Sequence, residues 1–350
     1  MEHAKKLIDR LYKTRSLQID EYKYLIENLS DEIVEYAKAK AVKLREFYYG
    51  KDVYIRGLIE ISNICKNDCF YCGIRKSNKL CSRYRLTKED ILGCCNEGYK
   101  LGFRTFVLQG GEDPYYDDKR LCEIIKSIKA IYSDCAVTLS LGERTKESYA
   151  ALKEAGADRY LLRHETADSL HYSKLHPMNL TLQNRVKCLI DLKALGFQTG
   201  CGFMVGSPYQ TSDTLAKDLK FIEEFKPDMC GIGPFIAHKD TPFFEFENGS
   251  VKLTLYLLSL IRIIHPSVLL PATTALGTLN DNGRENGILS GANVIMPNLS
   301  PKEVRKKYML YDNKKSDGNE AAECLEEIKK RIEKIGYTIL VSRGDVRKDI

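Results

Sequence analysis

The sequence contains no apolar stretch long enough to suggest a membrane span. Its most apolar segment, residues 253–270, is interrupted by Arg262, His265 and Pro266. The N-terminal segment MEHAKKLIDRLYKTRS also lacks the apolar core and the small-residue cleavage site of a secretory signal. We therefore expect a cytoplasmic protein whose twelve cysteines stay reduced and do not form a disulfide framework.

The charged residues show no bias toward one sign or one region. Lys and Arg total 54 against 48 Asp and Glu, and the net charge of +6 is spread along the chain. This distribution does not predict a nucleic-acid surface. Hydrophobic residues make up 43% and charged residues 29% of the chain, which is typical of a globular protein and excludes extensive disorder.

From residue 53 onward, short apolar runs alternate with longer amphipathic segments. The predicted strands are Val53–Ile61, Thr105–Gln109, Ala136–Leu141, Asp158–Arg163, Gln198–Val205, Met229–Phe235, Val268–Thr274 and Ala292–Met296. Helical patterns lie near residues 87–101, 117–132, 145–156, 181–196, 211–226, 251–265 and 284–290. Eight strands, nearly all followed by a helix, predict an α/β fold of the (βα)8 TIM-barrel type rather than an open sheet.

We expect this barrel to span residues 51–300 and to carry two extensions. Residues 1–50 show apolar residues at helical spacing and are predicted to form helices that pack on the barrel. Residues 301–350 are predicted to form a charged C-terminal tail that wraps back onto the barrel, with one helix near residues 320–335.

Three cysteines follow the first predicted strand, in the order Cys65-Lys-Asn-Asp-Cys69-Phe-Tyr-Cys72. Barrel enzymes place their chemistry at this end of a strand. A zinc site would need a second Cys or His pair, and ferredoxin-type sites use another spacing. Cys81 is a conceivable fourth ligand at an unusual spacing. The alternative is a 4Fe–4S cluster on three thiolates, whose fourth iron stays open to a ligand, and this spacing resembles the signature of the radical S-adenosylmethionine (SAM) superfamily.

Two further strand ends carry residues suited to binding a charged ligand. Gly110 and Gly111 end the second predicted strand, where they let the backbone approach a ligand closely. In the fourth strand, alternation places Arg159, Arg163 and Glu165 on one face. Inside a barrel mouth these side chains could bind a charged ligand, and the alternative is a structural Arg–Glu pair.

The later strands give weaker signals. The fifth strand is rich in glycine, which often marks close approach by a ligand, and Met204 could flank an adenine or simply pack in the core. Arg185 lies in the helical region after the fourth strand, where it could reach a carboxylate of SAM or remain solvated. Thr273 and Thr274 end the seventh strand, where their hydroxyls could bind substrate or merely favour the strand.

Taken together, the motifs of this chain resemble those of the HydE family, the radical SAM maturases of FeFe-hydrogenase. They are RGLIEISNICKNDCFYCGIRKSN, VLQGGEDPYY, VTLSLGER, GADRYLLRHETAD, MVGSPYQT, GIGPFIAHKDTP, PATTALGT and GANVIMPNLSP. The resemblance implies one 4Fe–4S cluster and SAM as cofactors. Implied cluster ligands are Cys65, Cys69 and Cys72; implied SAM contacts are Tyr71, Gln109, Gly110, Gly111, Glu165, Arg185 and Met204; implied substrate residues are Arg159, Arg163, Thr273, Thr274 and Tyr308.

The resemblance also implies a substrate and partners. The substrate would be an organometallic iron–cysteine complex, a cysteine-bound Fe(CO)2(CN) unit, which the 5′-deoxyadenosyl radical attacks. A low-potential electron donor would be needed, and a sister hydrogenase maturase could dock at the barrel mouth. Many relatives carry a second cluster on three cysteines of the tail, but this tail has only Cys324, so we expect no second cluster. Another radical SAM enzyme, such as a methylornithine synthase or biotin synthase, and a non-catalytic iron–sulfur carrier are the alternatives.

Overall fold

The computed structural model describes residues 1–316 and 321–347. Three helices come first: α1 (Glu2–Thr14), α2 (Ile19–Glu27) and α3 (Asp31–Tyr49). Their apolar residues at helical spacing, such as Leu7 and Leu11, are buried. Helix α2 packs against α9 (Ser212–Phe225) and α3 packs against α10 (Val251–Ile264), so the N-terminal helices cover part of the outer helical layer.

The strands form a parallel ring. They are β1 (Asp52–Ile55), β2 (Gly57–Ser62), β3 (Thr105–Gly110), β4 (Ala136–Ser140), β5 (Arg159–Leu161), β6 (Gln198–Cys201), β7 (Met204–Val205), β8 (Met229–Cys230), β9 (Gly233–Pro234) and β10 (Val294–Ile295). Six of them pair in the order β2-β3-β4-β5-β6-β8. Parallel bridges then join Met229 to Leu269, Pro271 to Val294 and Asn298 to Leu58. The order thus returns to β2, which confirms the predicted (βα)8 barrel.

Helices follow the strands and begin at capping residues. They are α4 (Lys88–Lys100), α5 (Asp118–Ile131), α6 (Lys146–Glu154), α8 (Leu182–Ala194), α9, α10 and α12 (Gly283–Leu289). The side chain at the N-cap accepts a hydrogen bond from the first turn at Thr87, Asp117, Thr145, Thr181, Thr211 and Ser250. These caps fix where each loop above the barrel ends. The sequence did not predict three short helices: α7 (Ser169–Leu175), α11 (Thr274–Leu279) and α13 (Lys302–Arg305).

Several predicted strands are interrupted. The first divides at Arg56: β1 pairs with β10 and the tail, whereas β2 pairs with β3. The fifth divides into β6 and β7 at Gly202, which has φ 152°. A Cβ there would lie 2.0 Å from the carbonyl oxygen of Gly231, so only glycine allows the two strands to approach this closely. Both interruptions lie near the rims of the barrel.

The tail wraps back onto the barrel. It contains α14 (Leu325–Lys334) and β11 (Thr338–Leu340), and β11 adds to β1 as a parallel strand. The predicted tail helix began near residue 320, which lies outside the described residues. After β11, residues 341–347 run beneath the barrel, at the N-terminal ends of its strands. Among the described residues, no helix combines the length and apolar character required to cross a membrane.

Candidate active site

A cavity of about 340 Å³ lies at the C-terminal ends of the barrel strands. Its outer part is lined by the cysteine loop after β2 and by the ends of β3, β4 and β5. The rest of its wall, here called the inner part, includes Leu58, Glu60, Leu161, Arg163, Thr273, Thr274, Met296, Tyr308 and Lys314. The barrel therefore brings together residues from nearly every strand at the end where such folds carry their chemistry.

The three predicted ligands Cys65, Cys69 and Cys72 all line this cavity. Burial and the neighbouring Cys65 raise the pKa of Cys72 to about 12, and burial with the other two thiols raises the pKa of Cys69 as well. Three thiolates so close together, without a cation, would repel one another in a poorly solvated site. A bound cationic iron–sulfur core would remove this repulsion, so the cysteines fit a metal cluster.

The surrounding loop is held in place by hydrogen bonds that involve backbone carbonyls. The amide of Phe70 donates to the carbonyl of Leu175 at the end of α7, and the amide of Gly73 donates to Leu310 in the tail. The guanidinium of Arg83 donates to the carbonyl oxygen of Ile74 at 2.8 Å. The cysteine positions are therefore fixed by the protein rather than by the ligand alone.

Cys81 does not join the other three cysteines. It is only partly buried, does not line the cavity, and its sulfur lies 3.5 Å from the side-chain amide of Asn63. The possibility of a fourth ligand there is not supported by this placement. Within the described part of the chain, no group of three or more His, Cys, Asp or Glu side chains is arranged around a single metal ion, which is the arrangement that zinc requires.

The glycine pair after β3 packs directly on the cysteine loop. A Cβ on Gly111 would lie 2.3 Å from the carbonyl oxygen of Ile64 and 2.8 Å from the Cβ of Cys65. The next residue, Glu112, accepts a hydrogen bond from the amide of Glu143 at 3.0 Å. Gly110 and Gly111 both line the cavity, so the missing side chains let this backbone reach the space beside the cysteines.

The chain after β5 supplies charged groups to the same space. The guanidinium of Arg163 lies 2.9 Å from the carboxylate of Glu165, but the two are not aligned as a hydrogen bond. Glu165 has φ 65°, a strained conformation for a residue with a side chain. Arg185 donates to Glu143 at 2.6 Å and to the carbonyl of Arg163 at 2.5 Å. Such buried, partly unsatisfied polar groups are typical of a ligand site.

The remaining predicted cavity residues are brought to its walls. The hydroxyl of Tyr71 lies 3.1 Å from His176, Met204 is buried beside the cavity, and the amide of Gln109 lies 3.4 Å from the Tyr308 hydroxyl. Thr274 lines the wall together with Thr273, whose buried hydroxyl has no hydrogen-bond partner among the described residues. That hydroxyl is available to a ligand.

Arg159 is the exception, and its prediction as a substrate residue is wrong. Strand alternation correctly predicted the face of β5 on which Arg159 lies, but not its position along the barrel axis. Arg159 is the first residue of β5 and therefore lies at the end of the barrel opposite the cavity. Its guanidinium donates to Thr105, to the carbonyl of Arg343 and to the carboxylate of Asp345. Since the tail satisfies this charge and Arg159 does not line the cavity, it belongs to the scaffold.

The sequence analysis missed a buried ion pair in the inner wall. The ammonium of Lys314 lies 2.6 Å from the carboxylate of Glu60, and Asn298 donates to the other carboxylate oxygen at 2.9 Å. Both charged side chains are nearly inaccessible to solvent and line the cavity. Glu60 could have been noticed as the one acidic residue within the predicted strand Val53–Ile61, but no local pattern marks Lys314 as its partner.

Comparison with known proteins identifies relatives of this chain. The model of the Radical SAM superfamily matches residues 59–222. The [FeFe] hydrogenase maturase subunit HydE of Thermotoga maritima is 47% identical over 296 residues, which cover 85% of this chain and 84% of that protein. The 3-methylornithine synthase of Methanosarcina acetivorans is 27% identical over 330 residues, or 94% of this chain and 92% of that protein.

Solved structures agree on the fold. A crystal structure of methylornithine synthase (PylB) superposes with a TM-score of 0.85 at 26% identity, covering 95% of this chain and 97% of that one. A crystal structure of HydG, a maturase of the [FeFe]-hydrogenase, superposes with a TM-score of 0.80 at 21% identity, covering 97% of this chain and 76% of that one. The second match bears on the fold alone.

Proposed function

The chain belongs to the HydE family of radical SAM enzymes, and from that premise we propose that it takes part in the maturation of an FeFe-hydrogenase. The observation that carries the proposal is the 47% identity to a HydE protein over 85% of the chain, a stretch long enough to include most of the barrel. The cavity supports it, because three cysteines, the glycine pair and Glu165 meet there.

We assign the cluster to Cys65, Cys69 and Cys72 and the SAM site to the outer cavity. A 4Fe–4S cluster held by these cysteines would supply the electron for the reductive cleavage of SAM into methionine and a 5′-deoxyadenosyl radical. We assign the carbonyls of the glycine pair, which lines the cavity, as acceptors for the ammonium group of SAM. Glu165, Arg185, Tyr71, Gln109 and Met204 are the remaining proposed contacts, and their positions around the cavity support this role.

We assign the substrate to the inner cavity. Its walls carry Arg163, Thr273, Thr274 and Tyr308, with Lys314 beside them. An organometallic iron–cysteine complex with cyanide and carboxylate groups is anionic, which suits guanidinium, ammonium and hydroxyl donors better than an apolar wall. The proposal also includes a single cluster, a cytoplasmic location and contact with a sister maturase that delivers the substrate.

Two assays test this function. Anaerobic maturation of an FeFe-hydrogenase should require the cluster-loaded protein, and the Cys72→Ser variant should fail to replace it. Reduction with dithionite in the presence of SAM should release 5′-deoxyadenosine. Full hydrogenase activity in reactions without the protein would overturn the assignment.

Methylornithine synthesis is a second candidate, because the PylB structure superposes over 95% of this chain. The lower identity, 26% against 47%, favours the maturase. An assay for 3-methylornithine separates the two functions, and we expect no product from the loaded enzyme. Its formation at a catalytic rate would favour the second candidate.

A further inference from the structure

A second depression lies against the cysteine loop, outside the cavity described above. Its volume is about 380 Å³, and it is lined by Lys66, Asn67, Asp68, Lys76, Ser77, Lys79, Pro177 and Asn179. We call the part formed by Lys66, Lys76 and Lys79 the lysine surface. All three lysines are exposed, and none of them is used by the proposed chemistry.

The lysine surface adjoins the cysteines, since Lys66 directly follows Cys65. Asn67 lines both the outer depression and the inner cavity. Its amide lies 3.4 Å from the sulfur of Cys65, and its carbonyl accepts from the amide of Lys76 at 2.8 Å. A carrier bound here would therefore lie close to the cluster ligands. This closeness matters because electron transfer between proteins becomes much slower with distance.

The surface carries excess positive charge. The carboxylate of Asp68 is paired with Arg75 at 2.7 Å, and Lys66 lies 3.2 Å from Glu112. Lys76 and Lys79 have no carboxylate within ion-pair distance in the described part of the chain. Unpaired exposed lysines attract an acidic partner and speed its association.

The surroundings fit a protein better than a small anion. The lysines are exposed, and a lysine ammonium sits on a flexible four-carbon stem, whereas selective binding of a small anion needs donors that are buried and fixed. Two exposed apolar side chains flank the depression: Met178 is 99% exposed between two lining residues, and Leu80, next to Lys79, is 79% exposed. An interface commonly combines such apolar contacts with a charged rim.

We propose that the lysine surface docks a small acidic electron-transfer protein that reduces the cluster. The step is an outer-sphere transfer: the reduced carrier loses one electron, the oxidised cluster gains it, and no bond forms or breaks. The inference rests on the proposed function, since the radical reaction consumes one low-potential electron for each SAM cleaved.

The test compares Lys76→Glu/Lys79→Glu with two matched double variants, using an acidic flavodoxin as the probe. Lys76→Arg/Lys79→Arg keeps the charge, and Lys43→Glu/Lys126→Glu reverses two exposed lysines on α3 and α5. Affinity for oxidised flavodoxin is measured by calorimetry at low salt with cluster-loaded and cluster-free protein. The rate of cluster reduction by flavodoxin hydroquinone is followed by stopped flow.

We expect reversal at the lysine surface to weaken binding and slow reduction by about tenfold or more, with a smaller dependence on salt than in the wild type. The arginine variant and the remote reversal should stay within about twofold of the wild type. Equal affinities for all four proteins, or an equal loss in the remote reversal, would overturn the docking site.

Dithionite separates this inference from the proposed function. It reduces the cluster without docking, so 5′-deoxyadenosine should form equally in the wild type and in Lys76→Glu/Lys79→Glu. If dithionite yields no 5′-deoxyadenosine even in the wild type, the radical SAM function fails, and the calorimetric affinities then decide the docking site alone. A loss of dithionite-driven product in the variant only would place these lysines in the catalytic machinery and overturn the docking role.

Discussion

Arg159 and Arg163 lie four residues apart on one segment of chain, yet they serve opposite ends of the barrel. Arg159 is fully buried at the N-terminal ends of the strands, here called the lower end, where Thr105, Gln198 and the tail accept its hydrogen bonds. Arg163 lines the cavity at the C-terminal ends of the strands, here called the upper end; two of its buried nitrogens make no hydrogen bond within the described residues, although one lies 2.9 Å from the Glu165 carboxylate. An arginine side chain is therefore fully hydrogen-bonded by the protein at the lower end, whereas an arginine at the upper end keeps donors that form no hydrogen bond.

This difference separates scaffold from site. Leaving a buried polar group without a partner costs stability, so a folded protein retains one mainly where a ligand or water completes it. At the lower end, the Asp345 carboxylate and the Arg343 carbonyl accept hydrogen bonds from Arg159, so the protein itself supplies its partners. At the upper end, Arg163 and Thr273 remain open beside the cavity. The upper end is where the proposed cofactor and substrate fit.

The largest expected effect tests the upper end. Cys72→Ser should abolish the oxygen-sensitive 4Fe–4S cluster and all 5′-deoxyadenosine formation, because two thiolates remain for a site that needs three. Iron analysis of anaerobically reconstituted protein and its EPR spectrum provide the measurement, with about four irons expected in the wild type.

Cys81→Ser is the matched control for this variant. Cys81 lies in the same segment but outside the cavity, so its loss should leave the iron content unchanged. Iron retained in Cys72→Ser but lost in Cys81→Ser would show that the ligand set is misassigned.

The comparison also explains what the sequence could reveal. The barrel and the cysteine loop were predictable, because strand–helix alternation and Cys spacing are local patterns. The position of a residue along the barrel axis is not encoded in a local pattern. Alternation placed Arg159 on the inner face, but whether its side chain contacts the cavity or the tail depends on the path of residues 341–347. The Glu60–Lys314 pair joins residues 254 positions apart, and no sequence period encodes such a contact.

A second experiment exchanges the two arginines for methionine. Arg159→Met removes the donor that serves the Asp345 carboxylate and three other acceptors, so we expect the free energy of unfolding to fall by about 1.5–3 kcal/mol. Arg163→Met should change stability by less than about 1 kcal/mol, because its partner Glu165 lies beside an open cavity. Urea denaturation of both variants provides the measurement.

Activity should show the reverse order. Once folded, Arg159→Met should bind iron and SAM as the wild type does, whereas Arg163→Met should lower hydrogenase maturation strongly. Equal loss of stability in the two variants, with equal activity, would remove the distinction between the two ends.

A smaller effect is expected for SAM affinity. Glu165→Gln removes a carboxylate from the cavity wall while preserving its size, so SAM binding should weaken by about tenfold through loss of a charge-assisted hydrogen bond. Iron content should not change, since Glu165 is not a cluster ligand. Binding is measured through the change that SAM causes in the EPR signal of the reduced cluster.

Glu147→Gln on the exposed surface of α6 is the control, and its SAM affinity should match that of the wild type. A Glu165→Gln variant with unaltered SAM affinity would exclude this carboxylate from the SAM site.

The smallest expected effect lies at the lower end and depends on pH. Burial is the largest single influence on Asp345 and acts to raise its pKa, but the charge of Arg159 and the hydrogen bonds from Gln198 and Arg343 together outweigh it and lower the pKa to about 2. A carboxyl group whose pKa is lower in the folded state stabilises the fold above its unfolded pKa of about 3.9 and loses that contribution as the pH falls toward its folded pKa. Asp345 is 40% exposed, so solvent screening keeps the contribution below about 1 kcal/mol.

We expect wild type and Asp345→Asn to differ by a constant free energy of unfolding between pH 5 and pH 7, and the difference to shrink between about pH 4 and pH 2. Urea titrations across this range measure it, and a difference that grows as the pH falls would show that the Arg159–Asp345 pair does not stabilise the lower end.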